Sequence, residues 1–121
     1  MAAMRKLPDS ELDVMMAVWD AEKAVTADDV MERLDRDWAR TTVLNFFNRL
    51  CDRGFLKCHK EGRLNVYEPL VTKEAYLQAV SKSFLQRMHH NSLKSLVASL
   101  YDGQGITKED LKELQAFIEE A

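Results

Sequence analysis

The sequence is poor in the features that announce several classes of protein. Its two cysteines, Cys51 and Cys58, are too few for a disulfide framework, and no signal-peptide core precedes them. With six methionines alongside them, a reducing cytoplasm is the expected location. No apolar run approaches the roughly 20 residues of a membrane-spanning helix, so no membrane association is expected. The motifs G-x-S-x-G, G-x-x-x-x-G-K and H-E-x-x-H are missing, and the carboxylates sit at helix starts, where the dipole favours them; no enzyme is expected. Metal-ligating residue types occur in unhelpful places. Cys51 and Cys58 are spaced too widely for a zinc knuckle. His89 and His90 are neighbours on a helix and diverge by about 100°, and His59 stands apart from them. We therefore expect no metal and no cofactor. Internal repeats and low-complexity tracts are also missing, and 121 residues suit one domain, or a small domain with an appended element.

An overall excess of positive charge is lacking too: the net charge is −3. Its distribution is more informative. Residues 40–73 hold seven Lys/Arg against three Asp/Glu, whereas residues 1–30 hold three against seven. Residues 31–39 and 74–121 are also net acidic. A localised basic stretch, not the whole-chain charge, is the relevant footprint for nucleic acid.

That basic stretch is organised as a helix, a glycine stop and two short strands. Val43, Phe46, Phe47 and Leu50 recur at helical spacing and predict an inward face. Thr41, Asn45 and Asn48 point the other way, flanked by Arg40, Thr42, Leu44 and Arg49. Asn suits adenine, Arg suits guanine, and Thr suits a base or a phosphate, so the outward face suits a base-edge reader. Gly54 stands where a helix C-terminus favours glycine. Leu56 and Cys58, then Leu64 and Val66, alternate with Lys57, His59, Asn65 and Tyr67, a period of two. Between them Lys60-Glu61-Gly62-Arg63 predicts a hairpin turn whose Lys60 and Arg63 can meet phosphate or the minor groove.

Two helices are expected before this stretch. Residues 1–8 read as a loose arm, after which Asp9 or Ser10 caps a helix with Leu12, Met15, Met16 and Trp19 on its apolar stripe. Ala24-Val25 is extended, and Thr26 with Asp29 forms a capping box for a second helix bearing Val30, Met31 and Leu34. Three helices followed by such a hairpin make a winged helix-turn-helix.

Three amphipathic helices are expected after Pro69. Thr72 caps one carrying Tyr76, Leu77, Val80, Phe84 and Met88; Asn91 caps one carrying Leu93, Leu96, Val97 and Leu100. Thr107 caps the last, which carries Leu111, Leu114, Phe117 and Ile118. Three short helices make a poor core alone, so we expect a homodimer in which Tyr76, Val80, Phe84, Leu96, Leu100, Leu111, Leu114 and Phe117 meet a second copy. The alternative is a monomer that folds these helices back on the first domain.

The chain resembles the BlaI/MecI (penicillinase repressor) family of winged-helix transcriptional repressors. The resemblance runs through L-x-x-x-E-x-x-V-M-x-x-x-W over Leu7–Trp19 and V-T-A-x-x-V from Val25. It continues in W-A-x-T-T-V-x-x-x-x-N-R-L-x-x-x-G-x-L from Trp38 to Leu56 and K-x-G-R-x-x-x-Y-x-P from Lys60 to Pro69. It implies a homodimer that occupies operator DNA, with base and phosphate contacts at Thr41, Thr42, Leu44 and Asn45 and backbone contacts from the wing. Some members carry a basic residue where Leu44 stands. The resemblance also implies a sensor-linked protease as a partner in antibiotic-responsive members, cutting an Asn-Phe bond; here the corresponding pair is Ser99-Leu100. A copper-responsive branch has a C-terminal cysteine cluster, and residues 74–121 contain no cysteine.

The expectation is thus a mainly α chain: a winged helix-turn-helix domain over residues 1–71 and a helical dimerisation domain over 72–121. Its function would be sequence-specific repression by a homodimer on a pseudo-palindromic operator of double-stranded DNA. The competing reading is a winged-helix protein-interaction module that dimerises without specific DNA readout.

Overall fold

Val14, Met15 and Val18 bury one face of the first helix, and the rest of the core is built against them. The computed structural model describes residues 5–121. In order, the elements are α1 (Asp9–Ala21), α2 (Ala27–Arg33), α3 (Arg40–Asp52), β1 (Leu56–Glu61), β2 (Leu64–Pro69), α4 (Lys73–His89), α5 (Leu93–Asp102) and α6 (Lys108–Glu120). This is the mainly helical architecture with a two-stranded wing that the patterning predicts.

The start of the chain differs from expectation in two ways. Leu7 is not part of a loose arm: it is buried, and its backbone N–H donates to the Tyr76 hydroxyl at 2.8 Å. Residues 1–4 of that arm lie outside the described residues. Neither Asp9 nor Ser10 caps α1, because Pro8 occupies the cap position with no side-chain hydrogen bond. Its φ of −55° already suits a helix entry. Glu11 in the first turn faces inward, 2% exposed, and pairs with Arg53 just beyond α3. A carboxylate taken out of water needs such a partner.

The remaining helix ends follow local chemistry. The Thr26 hydroxyl accepts from the Asp29 N–H at 3.2 Å, and the Asp29 carboxylate accepts from the Thr26 N–H at 3.0 Å, completing the expected capping box. At the end of α3, Gly54 takes φ +81°, its N–H donates to the Cys51 carbonyl, and the Phe55 N–H donates to the Leu50 carbonyl. This six-to-one closure turns the chain sharply from α3 into β1.

The strands pair antiparallel with Cys58 opposite Tyr67 and His59 opposite Val66. This register overturns the simple alternation. Leu56, Cys58 and Tyr67 share one face, so the core residue of β2 is Tyr67, stacked on Phe47 with centroids 4.1 Å apart. Val66 is buried as well, while Leu64 and Cys58 are exposed. Val25 exchanges both backbone hydrogen bonds with Tyr67, at 2.9 and 2.7 Å, and so adds a single-residue third strand. The sequence pattern is silent about that pairing.

Tyr76 corrects a further expectation. Predicted at a dimer interface, it is instead 2% exposed and completes the core of the first unit. Its ring lies 5.7 Å from those of both Trp19 and Phe55, and the Trp19 indole N–H donates to the Val71 carbonyl. Val80, placed with it at the interface, packs half-buried against the same core. The chain accordingly divides into compact units between Val80 and Ser81, inside α4, later than the 71/72 boundary proposed from sequence.

The second unit, Ser81–Ala121, has a different character. Thr107 and Asp110 form the expected capping box of α6. For α5 the cap is Ser92, which accepts from the Ser95 N–H, in place of Asn91, whose φ is +65°. Neither α5 nor α6 buries a single residue. Leu93, Val97, Tyr101, Leu111 and Leu114 line an apolar groove of about 440 Å³ between them. Phe84, Met88, Leu100 and Ile118 are exposed, as is Phe117 at 68%.

Candidate nucleic-acid interface

Helix α3 owes its two faces to its sequence: Val43, Phe47 and Leu50 are buried, so the opposite side must face water. Thr41, Asn45 and Asn48 are exposed there, and Thr42 is half-buried at the margin. Leu44 is also half-buried and packs partly against the core, which leaves only part of its side chain for a thymine methyl. Arg49 is exposed, with its guanidinium 5.9 Å from the Phe46 ring centre. Arg40 opens the helix, exposed and paired with Asp28 of α2. Phosphate contact by Arg40 requires exchange of that carboxylate.

The first turn of α3 has Ala39 in the cap position, with no side-chain hydrogen bond. Its leading N–H groups are left to solvent or to an anion, the arrangement that suits a DNA phosphate. A brace not foreseen from sequence stands next to it. Trp38 lies edge-on to Phe46 at 5.2 Å, and the Arg36 guanidinium sits 5.5 Å over the Trp38 ring while bonding Asp13 at 2.9 Å. An aromatic residue just before the cap position of the helix, with arginine two residues earlier, was the available signal.

The wing is tighter than the predicted four-residue turn. Lys60 and Glu61 belong to β1, and only Gly62 and Arg63 turn the chain. Gly62 takes φ +64°, at the first central position where a type II′ turn favours glycine. Lys60 and Arg63 are exposed, and among the described residues neither has an ion-pair partner. His59 lies between two carboxylates, its ring nitrogens 3.4 Å from Glu61 and 3.4 Å from Glu68. The unpaired cations near the tip are thus the ones available to phosphate. Among the described residues no group of three metal-ligating side chains comes together.

A solvent-facing helix of hydroxyls and amides, preceded by a helix-turn and followed by a basic wing, defines a winged helix-turn-helix protein of the DNA-binding kind. The chain belongs to the penicillinase repressor family, whose model matches residues 7–120. It is 32% identical to the penicillinase repressor of Bacillus licheniformis over 97% of this chain and 94% of that one. It is 24% identical to the methicillin resistance regulatory protein MecI of Mammaliicoccus sciuri over 93% of each. Among solved structures it resembles the DNA-binding domain of the repressor BlaI, with a TM-score of 0.54 and 31% identity over 63% of this chain and 94% of that one. It also resembles monomeric Bacillus licheniformis BlaI in complex with the blaP half-operator, with a TM-score of 0.52, 31% identity and the same coverage. Among the described residues no helix is long and apolar enough to cross a membrane.

Proposed function

We propose that this chain represses transcription in the cytoplasm as a homodimer, each copy laying α3 in the major groove of one half of a two-fold operator. The observation that carries the reading is the pairing of an outward face of Thr41, Asn45 and Asn48 with free Lys60 and Arg63 on the wing, all inside the one net-basic stretch. Asn45 and Asn48 read base edges; Thr41, Thr42, Arg40 and the first-turn N–H groups of α3 hold phosphates. Arg49 and Leu44 read at the margins, with less reach than the amides. Half-sites then lie about 34 Å, or a multiple of that, apart.

Dimerisation is supported by the second unit, whose apolar side chains at Phe84, Leu96, Leu100, Leu111, Leu114 and Phe117 are half-buried or exposed in the single chain. Bacillus licheniformis BlaI binds the blaP half-operator in its monomeric form, which fits a reader that needs two copies for a full site. Ser99 and Leu100 stand where antibiotic-responsive members carry a cleavable Asn-Phe pair, so induction here takes a route other than a sensor-linked protease at that bond.

The test is the salt dependence of binding to duplexes from the gene's own promoter region. Log K should fall with log salt by roughly 0.9 per phosphate neutralised, with footprints showing two-fold symmetry. Failure to bind any duplex at low salt would overturn this reading in favour of a protein-interaction module.

A further inference from the structure

Phe47 of α3 and Tyr67 of β2 stack at 4.1 Å, and helix spacing and strand register place one cysteine next to each of them in the fold. Cys51 follows Phe47 by four residues, one helical turn along the same side of α3. Cys58 is the direct cross-strand partner of Tyr67 on the same face of the hairpin. Only Arg53, Gly54 and Phe55 separate α3 from β1, and the positive φ of Gly54 turns the strand back beside the helix end. Both cysteines are free; Cys51 is half-buried and Cys58 exposed. The stacked rings of Phe47 and Tyr67 thus have one cysteine placed from the helix side and one from the strand side. Burial first, then the neighbouring Cys58 thiolate, pushes the Cys51 thiol upward. The Tyr67 phenol is raised by burial and then by both thiolates.

We propose that Cys51 and Cys58 are a peroxide-sensitive thiol pair whose disulfide ties the reading helix to the wing. Cys58, open to solvent, takes the oxidant. Its thiolate sulfur attacks one oxygen of a hydroperoxide, the O–O bond breaks, and the other oxygen leaves as an alcohol, or as water from hydrogen peroxide, after gaining a proton. The sulfur of Cys51 then attacks the Cys58 sulfenic acid. An S–S bond forms, the S–O bond breaks, and the departing hydroxide leaves as water with the Cys51 proton. Two thiols and one hydroperoxide thus give one disulfide, one alcohol and one water. Cys51 stands two residues after Arg49, and Cys58 two residues before Lys60. The bridge therefore joins the two arms of the proposed DNA face close to their contacting side chains and draws the wing strand toward the last turn of α3. Its effect on DNA rests on the function proposed above, whereas the thiol chemistry does not.

The experiment treats the full chain with hydrogen peroxide and maps its peptides by mass spectrometry without reductant. The expected product is a Cys51–Cys58 linked pair, lighter by two hydrogens and reversed by dithiothreitol. Cys58→Ser leaves Cys51 unreacted at the same dose, and Cys51→Ser stops at oxygenated Cys58. Free Cys51 beside overoxidised Cys58 in the unsubstituted protein would overturn the proposal. So would links formed only between two copies, or two thiols left unreacted. Duplex affinity of the bridged protein should fall by about tenfold, the weight of one charge-assisted contact, and recover on reduction. Unchanged affinity in fully bridged protein would remove the coupling to DNA. If the reduced protein binds no duplex, the repressor reading fails and the peptide map still decides the thiol pair.

Discussion

The Leu7 backbone N–H donates to the Tyr76 hydroxyl across 2.8 Å, joining residues 69 apart in sequence. One phenol thereby fixes the entry to α1 and the start of α4 on the same core. Tyr76→Phe keeps the ring and removes the acceptor, leaving a buried N–H unpaired. We expect a loss of about 1–3 kcal/mol by urea denaturation of the full chain, with sedimentation unchanged. A shift in oligomeric state without loss of stability would return Tyr76 to a dimer interface.

Acid should loosen α2 first through its capping box. The Asp29 carboxyl is held below its ordinary range chiefly by the hydrogen bond from the Thr26 backbone N–H, with the Thr26 hydroxyl, Lys23 and Arg33 acting in the same sense. A carboxyl depressed in the folded state adds stability above its unfolded pKa and loses it as pH falls through the folded value. Asp29→Asn should lower stability at neutral pH and flatten the acid limb of the stability curve. Parallel curves for variant and parent across that limb would show that the box does not couple to pH.

Base reading and phosphate holding should separate by mutation. Asn45→Ala is expected to cost about 1–3 kcal/mol on the cognate operator and to relax preference at one position. Arg63→Ala should weaken binding to every duplex alike and reduce the salt slope by roughly 0.9. Binding selections from a random pool, run beside salt titrations, report both quantities. A uniform loss for Asn45→Ala would make it a phosphate contact.

The exposed apolar side chains of the second unit carry a prediction of their own. Phe117→Asp combined with Leu100→Asp should convert a dimer to a monomer by sedimentation equilibrium, while Phe117→Leu should not. Because neither residue is buried in the single chain, the first unit should keep its stability. A folded dimer in the double variant would place the interface elsewhere.

Much of this was legible in the sequence because it follows short-range rules. The Thr26–Asp29 and Thr107–Asp110 boxes, the Gly54 stop and the outward position of Asn45 all arise from residues within a few positions of one another. Failures came where distant residues decide. Tyr76 lies at the same spacing as Phe84 on α4, and periodicity cannot say that one meets Trp19 and Phe55 while the other stays open. Val66 and Tyr67 are consecutive and both buried, which strict alternation does not allow, and Tyr67 is paired by Cys58 on one side and by a lone Val25 on the other. The inward turn of Glu11 depends on Arg53, 42 residues away.

The position of Tyr76 bears on how this protein can be taken apart. A cut just after Pro69 or Thr72 would remove the acceptor for Leu7 and the ring that closes over Trp19 and Phe55, leaving a reading head with a hole in it. The smallest piece expected to stand alone extends through Val80 and ends partway along a helix. Exchange of tails between relatives, in the laboratory or over generations, therefore has to be made in register within α4. A graft at that seam keeps α4 one continuous helix, whereas one made in the preceding loop replaces the tyrosine that the first core needs.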